Sequence, residues 1–242
     1  TYETNVMGTV NLLECVRLAR QQGRAPRSVL NVTTDKVYHN NEWAWGYREN
    51  EPLDGFDPYS NSKSCSELAT HSYINSFFAD KTVAVSTARA GNVIGGGDFA
   101  NDRIIPDCVR AMAAGRKIGV RNPYSTRPYQ HVLEPLGGYL ALAERLLAAD
   151  GRRAAKAWNF GPEAGGDASV GEVAQSLARL WGGGARVDCP EGAAHPHEAG
   201  LLRLDITQAR AELGWRPCWS LEQSLAATVQ WFRGWQRGDD AA

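Results

Sequence analysis

The chain has 242 residues, a formal net charge of −1 and an apolar content of 43%, the profile of an ordinary globular protein. Near-neutral charge gives no general reason to expect nucleic acid or an anionic membrane as partner, and no apolar run approaches the roughly 20 residues of a membrane span. Cys15, Cys65, Cys108, Cys189 and Cys218 are odd in number and contain no CxxC pair, which favours reduced cytoplasmic thiols over a disulfide framework or a zinc site.

In chain order, Asn5 to Ala19 is apolar at helical spacing, and Gly23 suits the C-terminal cap of that helix. Val29 to Val32 is a short β-branched run that ends in Thr33, Thr34, Asp35 and Lys36. It predicts a buried parallel strand with polar groups at its C-terminal end. Pro58 starts a second helix running to about Asp80, and Thr82 to Ala88 is a strand. Arg89 to Asn101 is a glycine-rich loop too long for a tight turn. A helix follows from Ile104 to Ala114, then a strand over Gln130 to Val132, a helix over Leu136 to Ala149 and a strand over Ala157 to Phe160. Helices near 169–181, 205–213 and 220–237 complete the chain. Alternating strands and helices predict an α/β fold on a mostly parallel sheet, with a smaller α-rich lobe.

Tyr59 and Lys63 stand four apart on the second helix and so share a face. An ammonium beside a phenol favours the phenolate, a general base. Open α/β sheets hold ligands beyond the C-terminal ends of their strands, where Thr34 and Asp35 fall. Together these segments resemble the short-chain dehydrogenase/reductase superfamily. The resemblance implies a doubly wound, Rossmann-like sheet and NAD as cofactor. The dense glycine runs, Gly95–Gly97 and Gly182–Gly184, do not follow a strand and open a helix as a dinucleotide fingerprint does. The resemblance therefore implies that roughly 100 residues carrying that fingerprint precede this chain, and that the chain alone is inactive.

Further patches narrow the group: Glu42 to Asn50 with its two tryptophans, Arg89 to Asp98, Asp102 to Asp107, Arg121 to Val132, and His195-Pro196-His197-Glu198-Ala199. In combination they resemble the CDP-glucose 4,6-dehydratases over residues 1 to about 237. That resemblance implies conversion of CDP-D-glucose to CDP-4-keto-6-deoxy-D-glucose and water. It assigns Tyr59 as the base at the C4 hydroxyl, Lys63 as its electrostatic support and ribose ligand, Thr34 as a hydrogen-bond partner of the C4 oxygen, and Asp35 as the acid at the C6 hydroxyl. Related dTDP-glucose enzymes place a glutamate, the C5 base, where this chain has Lys36. An ammonium cannot accept a proton, so Lys36 acts as base only when neutral; otherwise it stabilises the enolate or simply pairs with Asp35.

Asn5 matches the asparagine that supports the active-site lysine and water in the superfamily. Asn92, Arg103 and Arg127 match positions that hold pyrophosphate and sugar, and a guanidinium suits phosphate geometry. His197 and Glu198 are read as nucleotide contacts rather than metal ligands, because Pro196 prevents a helical two-His face; no metal is assigned. The organisation implied is an NAD-binding part at 1–92 and 128–160 with a nucleotide-sugar lobe at 93–127 and 161–242. Large apolar groups on the second helix (Leu68, Tyr73, Ile74, Phe77, Phe78) and the first (Val6, Val10, Leu13, Val16) suggest a homodimer through helices 1–22 and 58–80, or a larger oligomer built on it. The rival readings are another dehydratase or an epimerase of the same fold, which the Asp35–Lys36 pair argues against in the epimerase case, and a non-catalytic, partner-binding fragment.

Overall fold

The computed structural model describes residues 1–239 except 25, 81, 164 and 189–199. The chain folds into two compact units. The first comprises Thr1–Gly91, Pro135–Gly161 and Arg203–Arg216, and the second Asn92–Glu134, Pro162–Leu202 and Pro217–Ala242. Residues 203–216, which the sequence groups with the sugar lobe, pack in the first unit, and 128–134 pack in the second.

The first unit is a three-layer α/β/α arrangement. Strands β1 (Ser28–Val32), β2 (Ala84–Ala90) and β7 (Ala157–Phe160) form a parallel sheet in the order β1-β2-β7. Ser28 pairs with Ala84 and Val32 with Ala88. Strand β2 therefore starts two residues later than the apolar run predicts. Thr82 is drawn into a turn, where its backbone N–H and hydroxyl both donate to Asp80. Every residue of β2 is buried, as a central parallel strand requires. On one face pack α1 (Gly8–Gln21), entered through a wide turn at Glu3–Met7, and α2 (Pro58–Phe77), whose core residues are Leu13, Val16, Phe78, Val83 and Val85. On the other face, Leu142 and Leu146 of α4 (Leu133–Leu147) pack with Trp158, Phe160, Ile206, Ala209 and Trp215.

Local signals set the helix ends. Asp57 caps α2 by accepting the N–H groups of Tyr59 and Ser60, and Pro58 occupies the first turn where its missing donor costs nothing. Pro135 is tolerated in the first turn of α4 for the same reason, so that helix begins three residues earlier than the pattern suggests. Gly23 closes α1 at φ +68° and Gly115 follows α3 (Ile104–Ala113) at φ +63°.

The second unit surrounds an apolar core with α3, α5 (Val170–Trp181) and α6 (Leu221–Arg237). Ser169 with Glu172 and Ser220 with Gln223 form capping boxes at α5 and α6. Short strand pairs stitch the periphery: β3 (Asn92–Ile94) with β6 (Tyr129–His131), β4 (Ile118–Gly119) with β9 (Val187–Asp188), and β5 (Thr126–Arg127) with β8 (Ala168–Ser169). The long loop expected over 89–101 is thus partly strand. Gly96 and Gly97 in it lie against α6: a Cβ on Gly96 would lie 2.1 Å from the Trp231 ring. Trp231 is therefore a packing residue, and Trp235 meets Phe99 in a tilted contact at 4.9 Å while staying half exposed.

Candidate active site

At the C-terminal end of β1 the chain leaves the sheet through Thr33 and Thr34 and makes one tight turn at Asp35–Val37. Asp35 is wholly buried at 0% exposure. Its Oδ1 accepts from the Thr34 hydroxyl at 3.0 Å and from Lys36 Nζ at 3.0 Å, while its Oδ2 has no hydrogen-bond partner among the described residues. A buried carboxylate oxygen without a partner is costly, so such a group in a strand-end site points to a ligand that completes it. The pairing of Lys36 with Asp35 is present, and Lys36 itself is half exposed.

Helix α2 lies against this turn. Ser64 Oγ donates to the Val37 carbonyl at 2.8 Å and accepts the Gly55 N–H at 3.0 Å. Only glycine fits at position 55, since a Cβ would lie 2.2 Å from the Ser60 carbonyl carbon. Tyr59 stands in the first turn of α2 at 47% exposure, with its phenol open to a ligand. One turn on, Lys63 Nζ donates to the Val32 carbonyl at the end of β1 at 3.5 Å. Desolvation holds Lys63 below the ordinary lysine range, and the charge of Glu67 partly offsets it. Asn5, in the wide turn before α1, donates from Nδ2 to Ser62 Oγ at 2.9 Å. Turns of that wide type recur at functional sites.

Thr34, Asp35, Lys36, Tyr59, Lys63 and Asn5 all belong to the first unit. Asn92, Arg103 and Arg127 belong to the second. Asn92 opens β3 half-buried, exposed Arg103 precedes the first turn of α3 and bonds Asp98 at 3.3 Å, and Arg127 is buried in β5 with Nη1 on the Thr126 carbonyl. His195, His197 and Glu198 lie outside the described residues. Tyr139 of α4 is a group the sequence does not single out. Burial, with the charge of Asp35 second, pushes its phenol up to about 12, so it stays a neutral donor. It is missed because one tyrosine in an amphipathic helix reads as core.

The expected dimer residues divide. Leu13, Val16 and Phe78 are core rather than interface, because they fill the space under β2. Exposed apolar groups are Leu12 and Leu18 of α1, Leu68 and Phe77 of α2, and Met7 in the wide turn before α1.

The family model described as GDP-mannose 4,6 dehydratase matches residues 1–228. The chain belongs to this family. Within it, the chain is 48% identical to the CDP-glucose 4,6-dehydratase of Salmonella typhimurium over 99% of its own length and 67% of the relative's. It is 29% identical to a dTDP-glucose 4,6-dehydratase of Streptomyces griseus, covering 96% of the chain and 66% of that protein. The chain thus spans about two thirds of these relatives. Among solved structures, a dTDP-glucose 4,6-dehydratase of Streptomyces venezuelae with NAD and TYD bound superposes with a TM-score of 0.80 at 26% identity, over 99% of this chain and 68% of that one. A UDP-glucuronic acid 4-epimerase of Bacillus cereus gives the same TM-score at 20% identity, a likeness of fold alone. The dehydratase-family fold is the Rossmann-type α/β fold that the resemblance implies, on the mostly parallel sheet that the alternation of elements predicts.

Proposed function

We propose that this protein dehydrates CDP-D-glucose to CDP-4-keto-6-deoxy-D-glucose with NAD, as a lyase of nucleotide-sugar metabolism. The observation that carries the reading is Asp35, fully buried beside Thr34 and Lys36 with one oxygen unmatched, on a turn bonded to the helix that bears Tyr59 and Lys63. The residues present fit the nicotinamide-ribose end of NAD: an exposed phenol and a partly desolvated ammonium stand beside the end of a parallel strand, with Asn5 supporting α2 through Ser62. NAD, when bound, supplies the acceptor and later the donor of the hydride.

The residues' own work follows from the chemistry of the sugar. A C5 proton becomes acidic only once C4 is a ketone. Tyr59 takes the C4 hydroxyl proton, with Lys63 supporting the phenolate and Thr34 bonding the oxygen. Asp35, in its protonated form, then gives a proton to the C6 hydroxyl, which leaves as water. The C5 proton passes to solvent water, from which a proton later returns to C5, and the Lys36 ammonium beside Asp35 stabilises the enolate. In this reading Asn92, Arg103 and Arg127 bind the substrate's phosphates and sugar, and the protein pairs through the exposed apolar groups of α1 and α2. Four described cysteines are all free thiols, in keeping with a cytoplasmic enzyme. No helix among the described residues is long and apolar enough to cross a membrane.

The test is incubation of the full-length protein and NAD with CDP-, dTDP-, UDP- and GDP-hexoses. A 4-keto, 6-deoxy product from CDP-glucose in clear preference supports the reading. Interconversion of C4 epimers without loss of water would replace it with an epimerase.

A further inference from the structure

Four residues after Lys63, on the same face of α2, Glu67 is buried at 3% exposure beside Arg89, equally buried. Each carboxylate oxygen is used twice. Oε1 accepts from the Thr33 hydroxyl and from Arg89 Nε at 2.9 Å, and Oε2 from the Thr87 hydroxyl at 2.6 Å and from Arg89 Nη2 at 2.9 Å. The pair is therefore a bidentate fork, the most directional form of this ion pair. The remaining face of the guanidinium reaches further: Nη1 donates to the Tyr38 hydroxyl at 2.7 Å and to the Glu49 carbonyl at 2.9 Å, and the group lies 4.9 Å from the Tyr38 ring centre. Tyr38 in turn donates to Asn159 Oδ1 at 2.7 Å, and Asn159 Nδ2 donates to the carbonyls of Tyr47 and Asp205. Burial pushes the Tyr38 phenol up, so it remains the neutral donor this chain of bonds needs.

Thr33 and Tyr38 flank the turn that carries Thr34, Asp35 and Lys36. That turn is thus held at both ends by one ion pair, and the acid of the pair sits on the helix that carries Tyr59 and Lys63. We propose that Glu67 and Arg89 are positioning residues that fix Tyr59 and Lys63 relative to Thr34 and Asp35, an inference that rests on the roles given to those four groups above. Stability supplies no reason for charges here, since apolar residues of similar volume commonly replace a buried ion pair at no loss. What apolar contacts lack is a fixed set of bond lengths and directions, and a misplacement of about 1 Å between reacting groups costs on the order of a hundredfold in rate.

The test compares wild type with Glu67→Asp and with the double variant Glu67→Met/Arg89→Met by melting temperature, by kcat and KM, and by hydrogen exchange at the backbone amides of residues 33–38. Wild type is first run on CDP-, dTDP-, UDP- and GDP-glucose. A wrong nucleotide shows at that stage, and the variants are then compared on the sugar that wild type converts; the exchange readout needs no substrate. The double variant is expected to lose several degrees of melting temperature, because the buried Thr33 and Thr87 hydroxyls lose their acceptor, and to remain folded at the assay temperature. Its kcat falls about a hundredfold while KM moves less than about threefold, and amides 33–38 exchange at least about tenfold faster while those of β2 are unchanged. Glu67→Asp keeps the charge but withdraws the carboxylate by one methylene, and shows the same loss of kcat at constant KM, which keeps the proposal testable if the double variant does not fold. Either variant folding with wild-type kcat overturns the proposal. So does a loss of kcat that only tracks the loss of folded protein, with amides 33–38 as protected as in wild type.

Discussion

The main cluster of the second unit is built from apolar groups such as Ile105, Val109, Val173, Leu177, Leu225 and Phe232, and the polar groups that unit buries, such as Arg127, Gln130 and His131, lie on its short strands. The strand ends of the first unit instead bury Thr33, Thr34, Asp35, Glu67, Thr87 and Arg89. Dispersion and the hydrophobic effect suffice to hold three helices together, and they tolerate adjustment of shape. A buried polar cluster is expensive unless every member is matched. Among the described residues of the first unit nearly all are; Trp43 Nε1 and Asp35 Oδ2 are not, and Asp35 Oδ2 lies among the residues assigned to chemistry. The contrast separates a region selected for packing from one selected for placing reactive groups. Substitutions in the two should therefore fail in different ways.

The largest effect expected on turnover is that of Tyr59→Phe. The phenol is half exposed and its loss should leave melting unchanged, whereas oxidation at C4 falls by about 10²–10⁴-fold, the usual worth of a general base. Steady-state turnover on CDP-glucose with a parallel melting curve checks both halves. A variant that turns over normally removes Tyr59 from the site.

Asp35→Asn preserves shape and removes the acid, so its defect should be confined to elimination. CDP-4-ketoglucose still bearing its C6 hydroxyl is expected to accumulate on the protein, read by rapid quench and mass spectrometry. If activity is lost and no oxidised sugar appears, Asp35 serves binding or folding instead.

Leu177→Ala turns the comparison round. This side chain is at 0% exposure in the second unit's core, and its truncation should cost about 2–5 kcal/mol of stability. KM and kcat of the protein that remains folded should hold, as denaturant unfolding and activity per folded molecule would reveal. Ser220→Ala is the mildest change: loss of the α6 capping box should cost about 1 kcal/mol and leave kinetics untouched.

Much of this was legible in the residues because the signals are local. Asp57-Pro58 announces α2, the spacing of Tyr59 and Lys63 places them on one face, and Ser169 and Ser220 mark the starts of α5 and α6. The short apolar run before Thr34 identifies β1. Less legible was what depends on distant partners. The face that α2 buries is Ser60, Ser62, Ser64, Ser66, Glu67 and Thr70, and small hydroxyls give no apolar stripe to read. The large groups Leu13, Val16 and Phe78 read as surplus for the same reason, although the structure uses them beneath β2. Glu67 and Arg89 are 22 apart in sequence, and nothing local joins them. The return of 203–216 to the first unit depends on Tyr47 bonding to Arg203 and Asp205 through the backbone, a pairing across more than 150 residues that no periodicity announces.

The central claim is that one constellation in the first unit oxidises C4, removes the C5 proton and expels the C6 hydroxyl. It is tested most directly by incubating the full-length protein and NAD with CDP-glucose in deuterium oxide and weighing the sugar nucleotide. The account predicts a product lighter by one water and carrying one deuterium on carbon, at C5, where an exchangeable proton is returned. A product of unchanged mass, or a dehydrated product without deuterium at C5, would contradict it.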